Sequence, residues 1–118
     1  GFFVDITLFD DVDNMSTLAQ EEVFGPVLAL LPWTDEADLV AQCNDSVFGL
    51  ASGIWTRDYK AAWRIGRALE TGTVWVNTYK LFSVSTPFGG VKQSGLGREG
   101  SHHGIDDYME LKYVCLSI

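Results

Sequence analysis

With 118 residues, 47% of them apolar, and four Trp, four Tyr and seven Phe, the chain holds enough apolar material for one packed domain and is excluded from the disordered class. A net charge of −8 and a sequence pI near 4.4 disfavour nucleic acid and anionic membrane as partners, and read most simply as solubility. No stretch approaches the roughly 20 apolar residues of a membrane-spanning helix, and no secretory signal opens the chain.

Gly1 to Val12 alternates around Val4, Ile6 and Leu8, which predicts a strand. Val27 to Leu31 predicts a short buried strand. Thr34 is the expected N-cap of a helix running to about Asn44, with Asp35, Glu36 and Asp38 near the positive end of its dipole. Gly53 to Thr56 predicts another strand. Asp58 is the expected cap of a second helix, whose Ala62, Ile65 and Leu69 share one face. Gly72 is expected to end that helix in a left-handed conformation. Thr73 to Val76 predicts a third strand. The order is β-α-β-α-β, an α/β core whose strands run parallel through crossovers.

Ligands of open parallel sheets bind beyond the carboxyl ends of the strands. The long segment from Asn77 to Gly97 leaves the third strand at that edge. A loop of about 20 residues in a compact domain is usually functional or disordered. Tyr79, Phe82 and Phe88 argue against disorder, so this segment is the expected binding surface.

Gly95, Gly97 and Gly100 satisfy the G-x-G-x-x-G dinucleotide pattern, but that pattern must directly follow a buried strand and open a helix. Here Pro87 to Ser94 precedes it, so the glycines are read as tight-turn residues instead. No metal site is expected: His102-His103 is an adjacent pair, and Cys43 and Cys115 lack spaced partners. Cys43 falls in the first helix and Cys115 in an apolar terminal stretch. Both are expected to be buried, structural and reduced, as in a cytoplasmic protein.

Four landmarks stand in order along the chain: Glu22-Val23-Phe24-Gly25-Pro26-Val27, Phe48-Gly49-Leu50-Ala51-Ser52-Gly53, Gly72-Thr73-Val74-Trp75-Val76-Asn77, and the run from Pro87 to Glu99. Over essentially its whole length the chain resembles the C-terminal part of an NAD(P)-dependent aldehyde dehydrogenase. The resemblance implies that residues 1–110 form the second half of the catalytic domain and residues 111–118 an oligomerisation strand. The tail around Gly97-Arg98-Glu99-Gly100-Ser101, Gly104-Ile105, Asp107-Tyr108 and Lys112-Tyr113 is most similar to succinate-semialdehyde dehydrogenases. Gly1 stands where a Met is usual, so the chain reads as an excerpt or a processed product, with Leu116-Ser117-Ile118 as a natural terminus.

In this family a cysteine thiolate attacks the aldehyde, hydride passes to NAD or NADP, and water activated by a glutamate releases the acid. Neither the nucleophile's motif nor the base's motif occurs in these residues, so the chain alone is expected to be inactive. The resemblance implies cofactor roles for Glu22, Phe24 and Leu50: Glu22 toward the ribose hydroxyls, Phe24 and Leu50 against the nicotinamide. It implies substrate-tunnel roles for Asn77, Tyr79, Lys80, Phe82 and Phe88. Lys80 either attracts a substrate carboxylate or is an ordinary solvated cation. Glu99 is implied in a proton relay. Arg98 and Glu110 are implied in a subunit-interface network, and a direct Arg98–Glu110 pair is expected.

The expected partners are an aldehyde, the rest of the parent enzyme, and further copies through the last strand, which is apolar on both faces toward its end. Isolated, that strand is an exposed, adhesive edge, and self-association or instability is expected. The alternative is a non-catalytic structural or oligomerisation module that retains Glu22 and Phe24 for packing.

Overall fold

The computed structural model describes residues 1–118. The elements are β1 (Thr7–Phe9), α1 (Thr17–Gln20), β2 (Val27–Ala29), α2 (Glu36–Asn44), β3 (Phe48–Gly49), β4 (Ala51–Ile54), α3 (Tyr59–Ala68), β5 (Thr73–Val76), β6 (Val91–Lys92) and α4 (His103–Asp106). They form three two-stranded sheets: β1 with β2 parallel, β4 with β5 parallel, and β3 with β6 antiparallel. No helix is long and apolar enough to cross a membrane.

The β4–α3–β5 unit follows directly from its sequence. Asp58 caps α3, its Oδ1 accepting from the Lys60 and Ala61 amides at 2.8 and 3.3 Å. Ala62 and Leu69 of the apolar face are buried. The helix carries the chain back to lay β5 beside β4, with Ile54 opposite Val76. The α3 helix ends at Leu69 in an extended conformation, and Gly72 is not left-handed, contrary to expectation. Gly72 is small for another reason: a side chain there would collide with the Gly89 carbonyl oxygen.

At α2 the cap is Asp35 rather than Thr34. Asp35 accepts from the Asp38 amide at 2.9 Å, and Asp38 reaches back to the Thr34 amide and hydroxyl at 2.8 and 3.1 Å. The Thr34 amide and the Gln42 side chain hold the Asp38 carboxyl below its ordinary pKa. Thr34 therefore shapes the entry while Asp35 caps it. The second strand, β2, pairs with β1 and not with β4, so only the β4–α3–β5 half of the expected parallel core is laddered within the chain.

Four elements escaped prediction: the four-residue helices α1 and α4, and the strands β3 and β6. The two-residue strands β3 and β6 pair Phe48 with Lys92 and Gly49 with Val91, which places a strand inside the expected long loop. In the opposite direction, the expected strand over residues 111–118 does not form. It makes no backbone hydrogen bond, and Leu111 and Ile118 are fully exposed. A strand needs a ladder partner, and no segment of this chain supplies one.

Burial is sparse. Ala62, Leu69 and Trp75 are the buried apolar residues. The accessible surface is 9753 Å², against about 6,300 Å² for a self-contained folded chain of this mass. The radius of gyration is 18.9 Å, against about 13.5 Å for a compact domain of this length. Phe2, Phe3, Phe24, Leu96 and Tyr108 stand almost wholly in solvent. Cys43 and Cys115, expected to be buried, are also exposed, because no other segment of this chain packs over them. Cys43 nonetheless lies in apolar grooves with Trp33 and Leu39, and desolvation raises its thiol pKa.

Candidate functional site

The site begins where β5 ends. Asn77 has φ 53°, a left-handed conformation that Asn tolerates better than most residues. Its amide N–H still donates to the Ile54 carbonyl at 2.8 Å, the last rung of the ladder. Its side chain then takes both backbone groups of Thr56, accepting from the Thr56 amide at 3.0 Å and donating to the Thr56 carbonyl at 2.9 Å. The segment leaving Asn77 folds back so that the Trp75 indole N–H donates to the Leu81 carbonyl at 3.0 Å.

Trp75 is the centre of an aromatic cluster. Tyr79 and Phe82 meet it edge-on at 5.3 and 5.5 Å between ring centroids, and Phe88 stacks on it at 6.3 Å. Phe82 and Phe88 meet edge-to-face at 5.0 Å, and Trp55 lies 6.4 Å from Tyr79. Such offset and edge-on arrangements suit the ring quadrupoles. Three of the residues implied in the substrate tunnel are thus brought together. The residue that organises them, Trp75, has no site role in the sequence analysis, where it stands in a predicted strand and in a family landmark; its bulk beside the loop is the available signal. Lys80 reaches over the Tyr79 ring, its Nζ 5.5 Å from the centroid, and makes no ion pair.

The glycine-rich run returns the chain to this cluster. Phe88 and Glu99 form an isolated antiparallel bridge, each amide donating to the other's carbonyl at 2.8 Å. Gly95, Gly97 and Gly100 all have positive φ, and at Gly100 a side chain would meet the Thr86 carbonyl oxygen at 2.6 Å. The positive φ values fit the turn-forming reading of these glycines, and the helix that follows them, α4, is only four residues long and begins after Ser101 and His102. Leu50, Phe88, Arg98 and Glu99 line one open pocket of about 590 Å³, and Phe82, Phe88 and Glu99 a neighbouring one of about 330 Å³.

Arg98 does not pair with Glu110, as had been expected. Its Nη1 donates instead to the Gly90 and Gly97 carbonyls at 2.7 and 2.6 Å, bracing the glycine-rich turn that carries Glu99. Glu110 belongs to the unpaired tail, so nothing directs it toward Arg98. A second brace was not foreseen. Lys92 donates to the Asn44 and Ser46 carbonyls at 2.7 and 3.1 Å and pairs with Glu70 at 2.7 Å. It ties β6 to the end of α2.

Glu22 and Phe24 stand apart from these groups, on the connection between α1 and β2. The Glu22 carboxylate makes no hydrogen bond or ion pair, and the Phe24 ring is 94% exposed. What the chain brings together is an aromatic cluster with Glu99 lining the pockets beside it, while Glu22 and Phe24 are exposed separately. The two pockets bordered by Phe88 and Glu99 are lined by no cysteine, while Cys43 shares a separate groove with Trp55.

The aromatic cluster thus stands on an α/β unit, where β5 ends and the loop begins. A family model described as the aldehyde dehydrogenase family matches residues 1–114, and the chain belongs to that family. It is 47% identical over 118 residues to the succinate-semialdehyde dehydrogenase [NADP(+)] of Escherichia coli (strain K12), covering all of this chain and 24% of that protein. It is 48% identical over 118 residues to a betaine aldehyde dehydrogenase of Sinorhizobium fredii, again covering 24% of that protein. Among solved structures, the NAD+ complex of an aldehyde dehydrogenase from Bacillus cereus superimposes with a TM-score of 0.91 at 43% identity, over 95% of this chain and 23% of that one. The chain spans about a quarter of the length of the curated relatives it matches.

Proposed function

We propose that the chain is the C-terminal portion of an NAD(P)+-dependent aldehyde dehydrogenase, contributing the nicotinamide side of the cofactor site and part of the aldehyde tunnel. The observation that carries this reading is the family match across residues 1–114, with similarity over the full chain to enzymes four times its length. Residues 1–110 belong to the second half of the catalytic domain in this reading, and residues 111–118 are a strand that forms only against another subunit. The unpaired, apolar state of residues 111–118 supports this assignment.

The residues present fit one edge of a dinucleotide. Glu22 offers a carboxylate with both oxygens uncommitted, suited to ribose hydroxyls, and Phe24 offers an open ring face. Leu50, half exposed at the pocket mouth, adds an apolar contact. Bound there, NAD(P)+ supplies the hydride acceptor. Tyr79, Phe82 and Phe88 form an apolar wall that orients the aldehyde and excludes water. Glu99, whose main chain bridges that of Phe88, takes the proton-relay role at the tunnel edge in this reading. The nucleophilic cysteine, the general base and the phosphate-binding half of the cofactor site belong to the rest of the parent enzyme.

Similarity is nearly equal to relatives named for an acidic semialdehyde and for a cationic aldehyde. The test therefore uses a panel: succinate semialdehyde, glutarate semialdehyde, betaine aldehyde and a neutral aldehyde, each with NAD+ and NADP+. The product of the full reading frame and the 118-residue chain are assayed side by side. Turnover by the longer product alone is expected. Turnover by the 118-residue chain would overturn the assignment and bring Cys43 and Cys115 forward as nucleophiles. Silence in both would favour a structural module.

A further inference from the structure

The geometry points to Asn77 as a positioning residue for the aromatic loop rather than a group that touches the aldehyde, an inference that rests on the proposed aldehyde site. In a parallel pair with Ile54 opposite Val76, residue 77 should receive two rungs: its amide to the Ile54 carbonyl, and the Thr56 amide to its own carbonyl. The first rung is present at 2.8 Å. The second is made by the side chain, because the Thr56 amide donates to Asn77 Oδ1 at 3.0 Å. Nδ2 then closes the ring by donating to the Thr56 carbonyl at 2.9 Å.

The side-chain amide thus stands in for the main-chain carbonyl. That substitution frees the backbone of Asn77 to turn left-handed at φ 53° and leave the sheet while the sheet edge stays satisfied. The orientation of the amide is fixed by Thr56, which presents one donor and one acceptor. Few residues meet both demands. Asp lacks the donor, Gly lacks the amide, and Gln would place its amide one methylene too far. Four residues later the Trp75 indole pins Leu81 at 3.0 Å, so the loop is fastened at its root and at its first bend. Tyr79 and Phe82 lie on or next to the fastened stretch, and both pack on Trp75. Releasing the root should move the aromatic wall, with little effect on Glu22 and Phe24.

The test uses the full reading-frame enzyme and the variants Asn77→Gly, Asn77→Asp and Trp75→Phe. Asn77→Gly keeps the left-handed backbone accessible and removes only the amide, which guards against simple misfolding. Trp75→Phe keeps a ring and removes the indole donor. KM and kcat are measured for a small and a bulky aldehyde, together with cofactor Kd by fluorescence. The expected result is a loss of kcat/KM on the order of ten- to a hundredfold, expressed in KM and larger for the bulky aldehyde. Cofactor Kd should stay within about twofold, and Asn77→Asp should resemble Asn77→Gly. Equal losses for both aldehydes, or wild-type kcat/KM in Asn77→Gly, would overturn the positioning role. If the wild-type enzyme turns over no aldehyde, the proposed function falls separately. Hydrogen exchange at the Thr56 amide and Trp75 emission then decide the inference: unchanged protection and emission in Asn77→Gly refute it, and faster exchange with shifted emission supports it.

Discussion

The β4–α3–β5 unit and the tail over residues 109–118 carry comparable apolar signals and end in opposite states. In the unit, Thr73–Val76 finds β4 alongside it, α3 beneath it and an aromatic cluster at its end, and Trp75 is 8% exposed. In the tail, Leu111, Tyr113, Val114 and Leu116 offer as many apolar groups, yet all are largely exposed and no backbone amide of residues 110–118 is bonded. The difference is the presence of a partner. Strand propensity describes fitness for a pleated, half-covered surface, and that surface must be supplied by something else. The unit brings its own; the tail finds none within this chain.

The strongest way to break this comparison is to remove the centre of the covered region. Trp75→Ala deletes the ring on which Tyr79, Phe82 and Phe88 pack, together with the indole bond to Leu81. In the full reading-frame product the loss should be about 3–5 kcal/mol, read as a fall in the denaturation midpoint. A loss no greater than that of an exposed Trp63→Ala control would show that the cluster is not a packed centre. A smaller effect is expected at Gly72, where an added methyl meets the Gly89 carbonyl and Gly90 Cα. Gly72→Ala should cost about 1–3 kcal/mol through forced separation of β5 from the glycine-rich segment. Wild-type stability in that variant would mean that the two segments do not press together in solution.

The covered region was also the legible one. Asp58 as a cap, the Ala62–Leu69 face and Thr73–Val76 follow from local signals that tertiary packing does not oppose. Boundaries slipped where two residues share a task, as Thr34 and Asp35 do at the head of α2. Phe48–Gly49 and Val91–Lys92 are too short for any periodicity to register, and their pairing is long-range, accompanied by a Gly49 amide bond to the Ser94 hydroxyl 45 residues away. At the site, the aromatic residues of the loop were visible from sequence, but their dependence on Trp75 and on the Asn77 amide was not. Those depend on a backbone turn whose φ no composition reveals. Arg98 illustrates the same limit: the family resemblance implies an ion pair with Glu110, yet its guanidinium donates to the Gly90 and Gly97 carbonyls of the glycine-rich run.

The smallest expected effect compares the two regions through their cysteines. Cys43 lies on α2 beside Trp33 and Leu39, where desolvation raises its thiol pKa above the ordinary value. Cys115 lies in the unpaired tail. Alkylation proceeds through the thiolate, so a raised pKa lowers the reactive fraction at pH 8. In the 118-residue chain, pulsed iodoacetamide labelling followed by peptide mass spectrometry should modify Cys115 several times faster than Cys43. As pH rises through the pKa of Cys43 its thiolate fraction grows, and the two rates should converge. Cys43 labelling ahead of Cys115 would show that the tail is covered in solution, by its own chain or by a second copy, and the contrast between partnered and unpartnered regions would have to be redrawn.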